Sequence, residues 1–276
     1  MPAAPLAYPV FAVGDLHGRV RWLDKLLTRL RAHPLWPEAR VVFLGDLVDR
    51  GDAVRETVTR VMGVIAEKPG SACVMGNHDL ALAAAAGLDG NAPKPYWVTR
   101  YRDAYDHENT FRSYLGRLPR SHSFADWEAD LAALRDAIPD DHGAFLANLP
   151  WVAETAGHVF VHCGLSPELD CPAETQLNCL RYRRWSRDVV SPRLGTTTDR
   201  EFKADYPVWL GANKKLSANP LPIPGRVQVT GHVLVEQPDA TGVRIRIDTS
   251  GGVREPLTAC LLRGPGAAPE YVFSDG

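Results

Sequence analysis

The 276-residue chain is 45% hydrophobic and 23% charged, the values of a folded globular protein, and they exclude a disordered one. A net charge of −2 gives no global field for nucleic acid or an anionic membrane, and neither partner is expected. Five cysteines without a CxxC pair exclude a zinc ribbon or disulfide framework. With no leader-like start and no apolar run of membrane-spanning length, they place the expectation in the reduced cytoplasm.

The length suits one domain over residues 1–276 with a helical insertion at about 80–150. Val10-Phe11-Ala12-Val13 opens as a strand and runs into Gly14-Asp15-Leu16-His17-Gly18. Leu23, Leu26, Leu27 and Leu30 then follow helical spacing. Val41-Val42-Phe43-Leu44 leads into Gly45-Asp46-Leu47-Val48-Asp49-Arg50-Gly51, followed by a second helix over 53–67. Ala72-Cys73-Val74-Met75 leads into Gly76-Asn77-His78-Asp79. The leading glycines are 31 residues apart each time (45 − 14 and 76 − 45), the length of a parallel strand–helix–strand unit.

Beyond this point the character changes. Helices are expected over 80–86, 98–118, 124–137 and 140–148, with a loop over 87–95. Strands return over 151–155 and 158–162, the second ending at His162. Residues 171–224 are irregular, with loops and short helices expected over the sheet edge. Strands over 226–230 (continuing to Gly231-His232), 243–248, 257–263 and 271–273 complete the chain. His33, His107, His122, His142 and His158 lie outside these loops and read as surface or satisfied core histidines.

Five strand-end loops therefore carry Asp, His and Asn, and loops at the ends of parallel strands converge at one sheet edge. Imidazole and hard oxygen donors suit manganese, with iron or zinc as alternatives, and do not suit soft thiolate sites. The residues divide into two sets: Asp15, His17 and Asp46, then Asp46, Asn77, His162 and His232, with Asp46 shared. Two divalent cations ~3.5–4 Å apart form a clamp for phosphate esters, and a hydroxide shared between them attacks phosphorus in line. His78 is left over from the ligands and reads as the general acid for the leaving alkoxide, with Asp49 to orient it. Arg50 reads as a phosphate clamp. A lone Gly-Asp or Asn-His is an ordinary turn, so the signal lies in the conjunction of all five loops.

These blocks, GDLHG, GDLVDRG, GNHD, VHCG and TGH, resemble the signatures of the calcineurin-like metallophosphoesterases, and within them the phosphoprotein phosphatases and their bacterial members. The resemblance spans residues 14 to 232. It implies an α/β fold, a four-layer αββα sandwich of two mixed sheets with the dimetal centre between them. It carries over Asp15, His17, Asp46, Asn77, His162 and His232 as ligands, His78 and Asp49 as the acid pair, and Arg50 and Asn77 as phosphate contacts. Three departures stand out: Asp79 where eukaryotic members have Glu, Cys163 where Ala is usual, and several arginines in Arg181-Tyr182-Arg183-Arg184-Trp185-Ser186-Arg187. Of these, Arg187 fits the family's second phosphate arginine best by spacing, with Arg183 and Arg184 as alternatives. The intact Asp49-Arg50 pair favours a serine/threonine phosphatase acting on phosphoproteins or small phosphoesters. Asp79 and the insertion favour the alternative, a symmetric diadenosine tetraphosphate hydrolase.

Overall fold

The computed structural model describes residues 4–120, 123–167, 169, 171–184, 207–211 and 220–275. Strands β1 (Val10–Val13), β2 (Arg40–Phe43) and β3 (Ala72–Cys73) alternate with helices α1 (Val20–Ala32) and α2 (Val54–Glu67). The three strands are parallel, so the 31-residue step is a strand–helix–strand unit. Helix α1 buries Leu23, Leu26, Leu27 and Leu30, the residues whose spacing marks it in the sequence. Burying one such leucine contributes ~1.5–3 kcal/mol.

Helices α3 (Asn77–Ala86), α4 (Pro95–Ala104), α5 (Glu108–Leu115), α6 (Phe124–Ala137) and α7 (Asp140–Asn148) follow. Next come β4 (Ala153–Glu154), β5 (His158–Phe160), α8 (Ala173–Arg181) and a 3-10 turn at Val208–Leu210. The chain closes with β6 (Val227–Thr230), β7 (Asp239–Ala240), β8 (Arg244–Arg246), β9 (Thr258–Leu262) and β10 (Glu270–Phe273). Among the described residues no helix is long and apolar enough to cross a membrane.

The strands form two mixed five-stranded sheets, β10-β9-β1-β2-β3 and β4-β5-β6-β8-β7. The period of two along a strand sets the layers. On β1, Phe11 and Val13 join the cluster that holds the α1 and α2 side chains. Val10 and Ala12 instead pack in a second cluster with Phe160, Val229 and Ile245 of the other sheet. On the second sheet's far side, Val159 and Val161 share a cluster with Leu177 and Leu180 of α8. Helices, sheet, sheet and helix thus stack in the αββα order.

Register positions the loops. Val13 pairs with Phe43 and Phe43 with Cys73, so the loops after β1, β2 and β3 leave from one edge. Phe160 pairs with Val229, so the segments carrying His162 and His232 also leave together.

Two helix expectations need correction. Helix α3 starts at Asn77 rather than at 80, because Asp79 accepts the Gly76 N–H at 3.0 Å and caps the first turn. The single helix expected over 98–118 is two, α4 and α5. It breaks at Tyr105, whose backbone is extended (φ −126, ψ 144). The break lets the Asp106 carbonyl accept the Arg50 N–H at 3.0 Å, a tertiary bond that helical spacing does not reveal.

Candidate active site

Among the described residues two groups of possible ligand atoms form: His17 and Asp46 with His78, where the sequence expectation has Asp15, and Asp46 with His162 and His232. Ligand atoms of Asp46, His162 and His232 lie within 4.8 Å of one another. His162 Nε2 stands 3.3 Å from Asp46 Oδ2, 3.2 Å from Asn77 Oδ1 and 3.2 Å from His232 Nδ1. Its other ring nitrogen, Nδ1, donates to the Leu44 carbonyl at 2.6 Å. That bond fixes the tautomer and aims Nε2 at the cluster, the usual arrangement of a metal-ligating histidine. His17 is built alike: Nδ1 donates to Val48 O at 2.9 Å, and Nε2 faces Asp46 Oδ2 at 3.4 Å.

Asp46 sits between the two histidines and is 2% exposed. Burial pushes its pKa up, but His162, His78 and His17 outweigh that and hold it well below the ordinary carboxylate value. His162 moves the other way, up to about 10, as Asp46 and Asp15 outweigh its burial. Asp15 of the first expected set accepts the His232 N–H through both oxygens, at 3.1 and 3.0 Å. Burial, then the Asp248 carboxylate, raises its pKa well above the usual range.

The backbone leaves room only for these side chains. A Cβ on Gly76 would stand 2.1 Å from Asp46 Oδ1, and one on Gly231 2.0 Å from Asp15 Oδ1. Glycine is required at both positions by close approach. A set of two carboxylates, an amide and three imidazoles, all buried but the half-buried His232 and sharing Asp46, fits two hard divalent cations.

His78 completes the site. Its Nδ1 donates to Asp49 Oδ2 at 2.7 Å. Its ring meets His17 and Tyr105 edge-to-face, each at 4.7 Å between centroids. Burial lowers the imidazole, but Asp46 and Asp49 together raise it above its ordinary value. Arg50 bends over both: its guanidinium donates to Gly251 O at 2.6 Å and lies 2.9 Å from His17 Nε2 and 3.3 Å from His78 Nε2.

The structure thus brings together Asp15, His17, Asp46, Asn77, His162, His232, His78, Asp49 and Arg50. Arg187 lies outside the described residues. Arg183 sits over the Trp151 ring at 5.8 Å and lines a 440 Å³ cavity with Met75, Leu80 and Trp97, Arg184 lies beside Tyr182, and both arginines are exposed. Cys163 is buried, which pushes its thiol up to about 12, so it is a packing residue. His33, His107, His142 and His158 all have protein partners, and His122 lies outside the described residues.

Sequence reasoning misses Tyr101, Asn109 and Thr110. Tyr101 and Thr110 donate to Asp49 Oδ1 at 2.7 and 2.6 Å, and Asn109 donates to the Arg50 carbonyl at 2.7 Å. The one sequence signal is the pair of polar residues Asn109 and Thr110 just ahead of Phe111.

The chain belongs to the calcineurin-like phosphoesterase family, whose model matches residues 8–194. It is similar to the symmetrical bis(5'-nucleosyl)-tetraphosphatase of Methylococcus capsulatus, 31% identical over 158 residues, 57% of this chain and 44% of the relative. It is also similar to the serine/threonine-protein phosphatase 6 catalytic subunit of Drosophila melanogaster, 36% identical over 76 residues, 27% of this chain and 24% of that one. The chain therefore matches less than half the length of these curated relatives. The crystal structure of a candidate diadenosine tetraphosphatase superposes with a TM-score of 0.55 at 20% identity, covering 99% of this chain and 96% of that one, a likeness of fold.

Proposed function

We propose that the chain is a dinuclear metal-dependent phosphoric ester hydrolase acting on phosphomonoesters, phosphoserine and phosphothreonine in proteins first among them. Asp15, His17 and Asp46 would hold one divalent cation, and Asp46, Asn77, His162 and His232 the other. Such ions, manganese being the first choice, supply Lewis acidity at the phosphoryl oxygens and a nucleophile at neutral pH. Arg50 reaches over the same space and would neutralise charge on the transferring phosphoryl group. Asn77, at the N-terminus of α3, would place a ligand and a phosphate contact side by side.

One observation carries the choice of substrate: His78 Nδ1 is bound to Asp49, which leaves Nε2 directed at the Arg50 side of the site. With Nδ1 so held, Nε2 is the ring nitrogen that would deliver a proton to a leaving group. A serine or threonine alkoxide is a poor leaving group and needs that proton, whereas a nucleotide leaves as a stable anion without it.

A second reading, a symmetric dinucleoside tetraphosphate hydrolase, is favoured by the similarity to the Methylococcus capsulatus protein. A side-by-side assay with manganese separates the two. Turnover of a phosphoserine peptide and p-nitrophenyl phosphate supports the first reading, and turnover of diadenosine tetraphosphate alone overturns it.

A further inference from the structure

Asp49 and Arg50 are consecutive non-glycine residues in the left-handed region, with φ of 68 and 62. Side chains are strained there, and such residues persist only where their surroundings hold them. The hold comes from the insertion. Thr110 of α5 uses one hydroxyl twice: it accepts the Asp49 N–H at 3.0 Å and donates to Asp49 Oδ1 at 2.6 Å. Tyr101 of α4 donates to the same oxygen at 2.7 Å. Asn109 donates to the Arg50 carbonyl, and the Asp106 carbonyl accepts the Arg50 N–H.

The second oxygen, Oδ2, is left to His78. The carboxylate is fully buried, so without Tyr101 and Thr110 it could rotate or tilt within its pocket and lengthen the bond to His78. Burial and the neighbouring carboxylate raise the Tyr101 phenol well above 10, so it stays a donor throughout the working range. The broken helix has the same explanation, since a continuous helix through 105–107 would remove the Asp106 carbonyl from Arg50.

We infer that Tyr101 and Thr110 are positioning residues that fix the Asp49 carboxylate toward His78, and that α4 and α5 of the insertion thereby set proton delivery to the leaving group. The inference rests on the phosphoester hydrolysis proposed above. Neither residue touches a candidate metal ligand through a hydrogen bond found in the structure, so metal loading and proton delivery separate in the variants.

The test compares Tyr101→Phe, Thr110→Val and Thr110→Ser with the wild type, each loaded with manganese. Two substrates are used, phenyl phosphate with a poor leaving group and 2,4-dinitrophenyl phosphate with a good one. The expected result is a loss of about tenfold or more on phenyl phosphate for Tyr101→Phe and Thr110→Val, within the range of general acid catalysis. The dinitrophenyl ester should lose less than about twofold, metal content should stay unchanged, and Thr110→Ser should recover most of the rate. Equal losses on both substrates, or none, overturn the inference.

A second arm does not need turnover. In zinc-loaded protein, which is diamagnetic, the hydrogen-bonded Nδ1 proton of His78 should give a downfield NMR signal that shifts or broadens in Thr110→Val. An unmoved signal counts against positioning even if the wild type proves inactive on every ester. Inactivity of the wild type with a moved signal sinks the proposed function alone.

Discussion

His78 Nδ1 and Asp49 Oδ2 meet at 2.7 Å across 29 residues of sequence, with His78 5% and Asp49 0% exposed. Asp49→Asn should keep its shape but present an amide where the imidazole needs an acceptor. Turnover of alkyl phosphates should fall by ~10²–10⁴, with bound metal unchanged by elemental analysis. Undiminished activity in that variant would falsify the acid pair.

Asp46 is common to both proposed cation sets, and its Oδ2 lies 3.4 Å from His17 Nε2 and 3.3 Å from His162 Nε2. Asp46→Asn removes the shared charge, so both sites should lose occupancy together and activity should vanish. Retention of one full equivalent of metal would show that the two sets load independently.

A methyl group at residue 231 would collide with Asp15 at 2.0 Å. Gly231→Ala should therefore turn Asp15 away from the site and weaken metal binding at least tenfold, within the roughly 10–100-fold span of changes behind a ligand. Titration of apo protein with manganese gives the answer directly, and wild-type affinity would mean that the loop yields freely.

Asp79 accepts Leu47 N–H at 2.9 Å and Gly76 N–H at 3.0 Å, tying the second loop to the third. Asp79→Ala leaves two buried donors without those acceptors, at about 1–3 kcal/mol each. The urea midpoint should drop accordingly, and an unchanged midpoint would show that water or a shifted loop replaces the carboxylate.

His158 is buried with its Nδ1 2.6 Å from the Tyr8 hydroxyl, and burial lowers its pKa below the ordinary value. An unfolded histidine takes up its proton near pH 6.5. Below that pH the unfolded chain holds a proton that the native chain lacks, so this contribution to stability is complete above about 6.5 and lost as pH falls toward the folded pKa. Melting curves between about pH 7.5 and 5.5 should show the wild type losing more than His158→Gln. A pH-independent gap between the two would refute the assignment.

Much of this was readable before any coordinates. Helix α1 declares itself through Leu23, Leu26, Leu27 and Leu30, and α6 and α7 begin and end where their spacing puts them. The loops follow from a conjunction, since five apolar runs each lead into a loop that carries Asp, Asn or His, where one alone would read as an ordinary turn. What escaped is what depends on distant partners. Tyr101 looks like one more aromatic of a packed helix, and only contact with a residue 52 positions earlier shows its hydroxyl to be engaged. The break at Tyr105 is equally silent, because the competing bond is to Arg50. Strand β7 escaped because it is two residues long and set by pairing with β8.

The apolar layer between the sheets draws Val10, Ala12, Val42 and Val74 from one and Phe160, Val229 and Ile245 from the other. At its upper rim Asp46 descends from the first sheet, and His162 and His232 from the second. An ion gripped there would act as a rivet across the seam, and the two halves of the molecule would share its binding energy. At a hundred times Kd such a rivet is worth ~2.7 kcal/mol against unfolding. Chelation should then loosen the whole sandwich along this line, well beyond the loops that touch the ion, and amide exchange in β5 and β6 should quicken first.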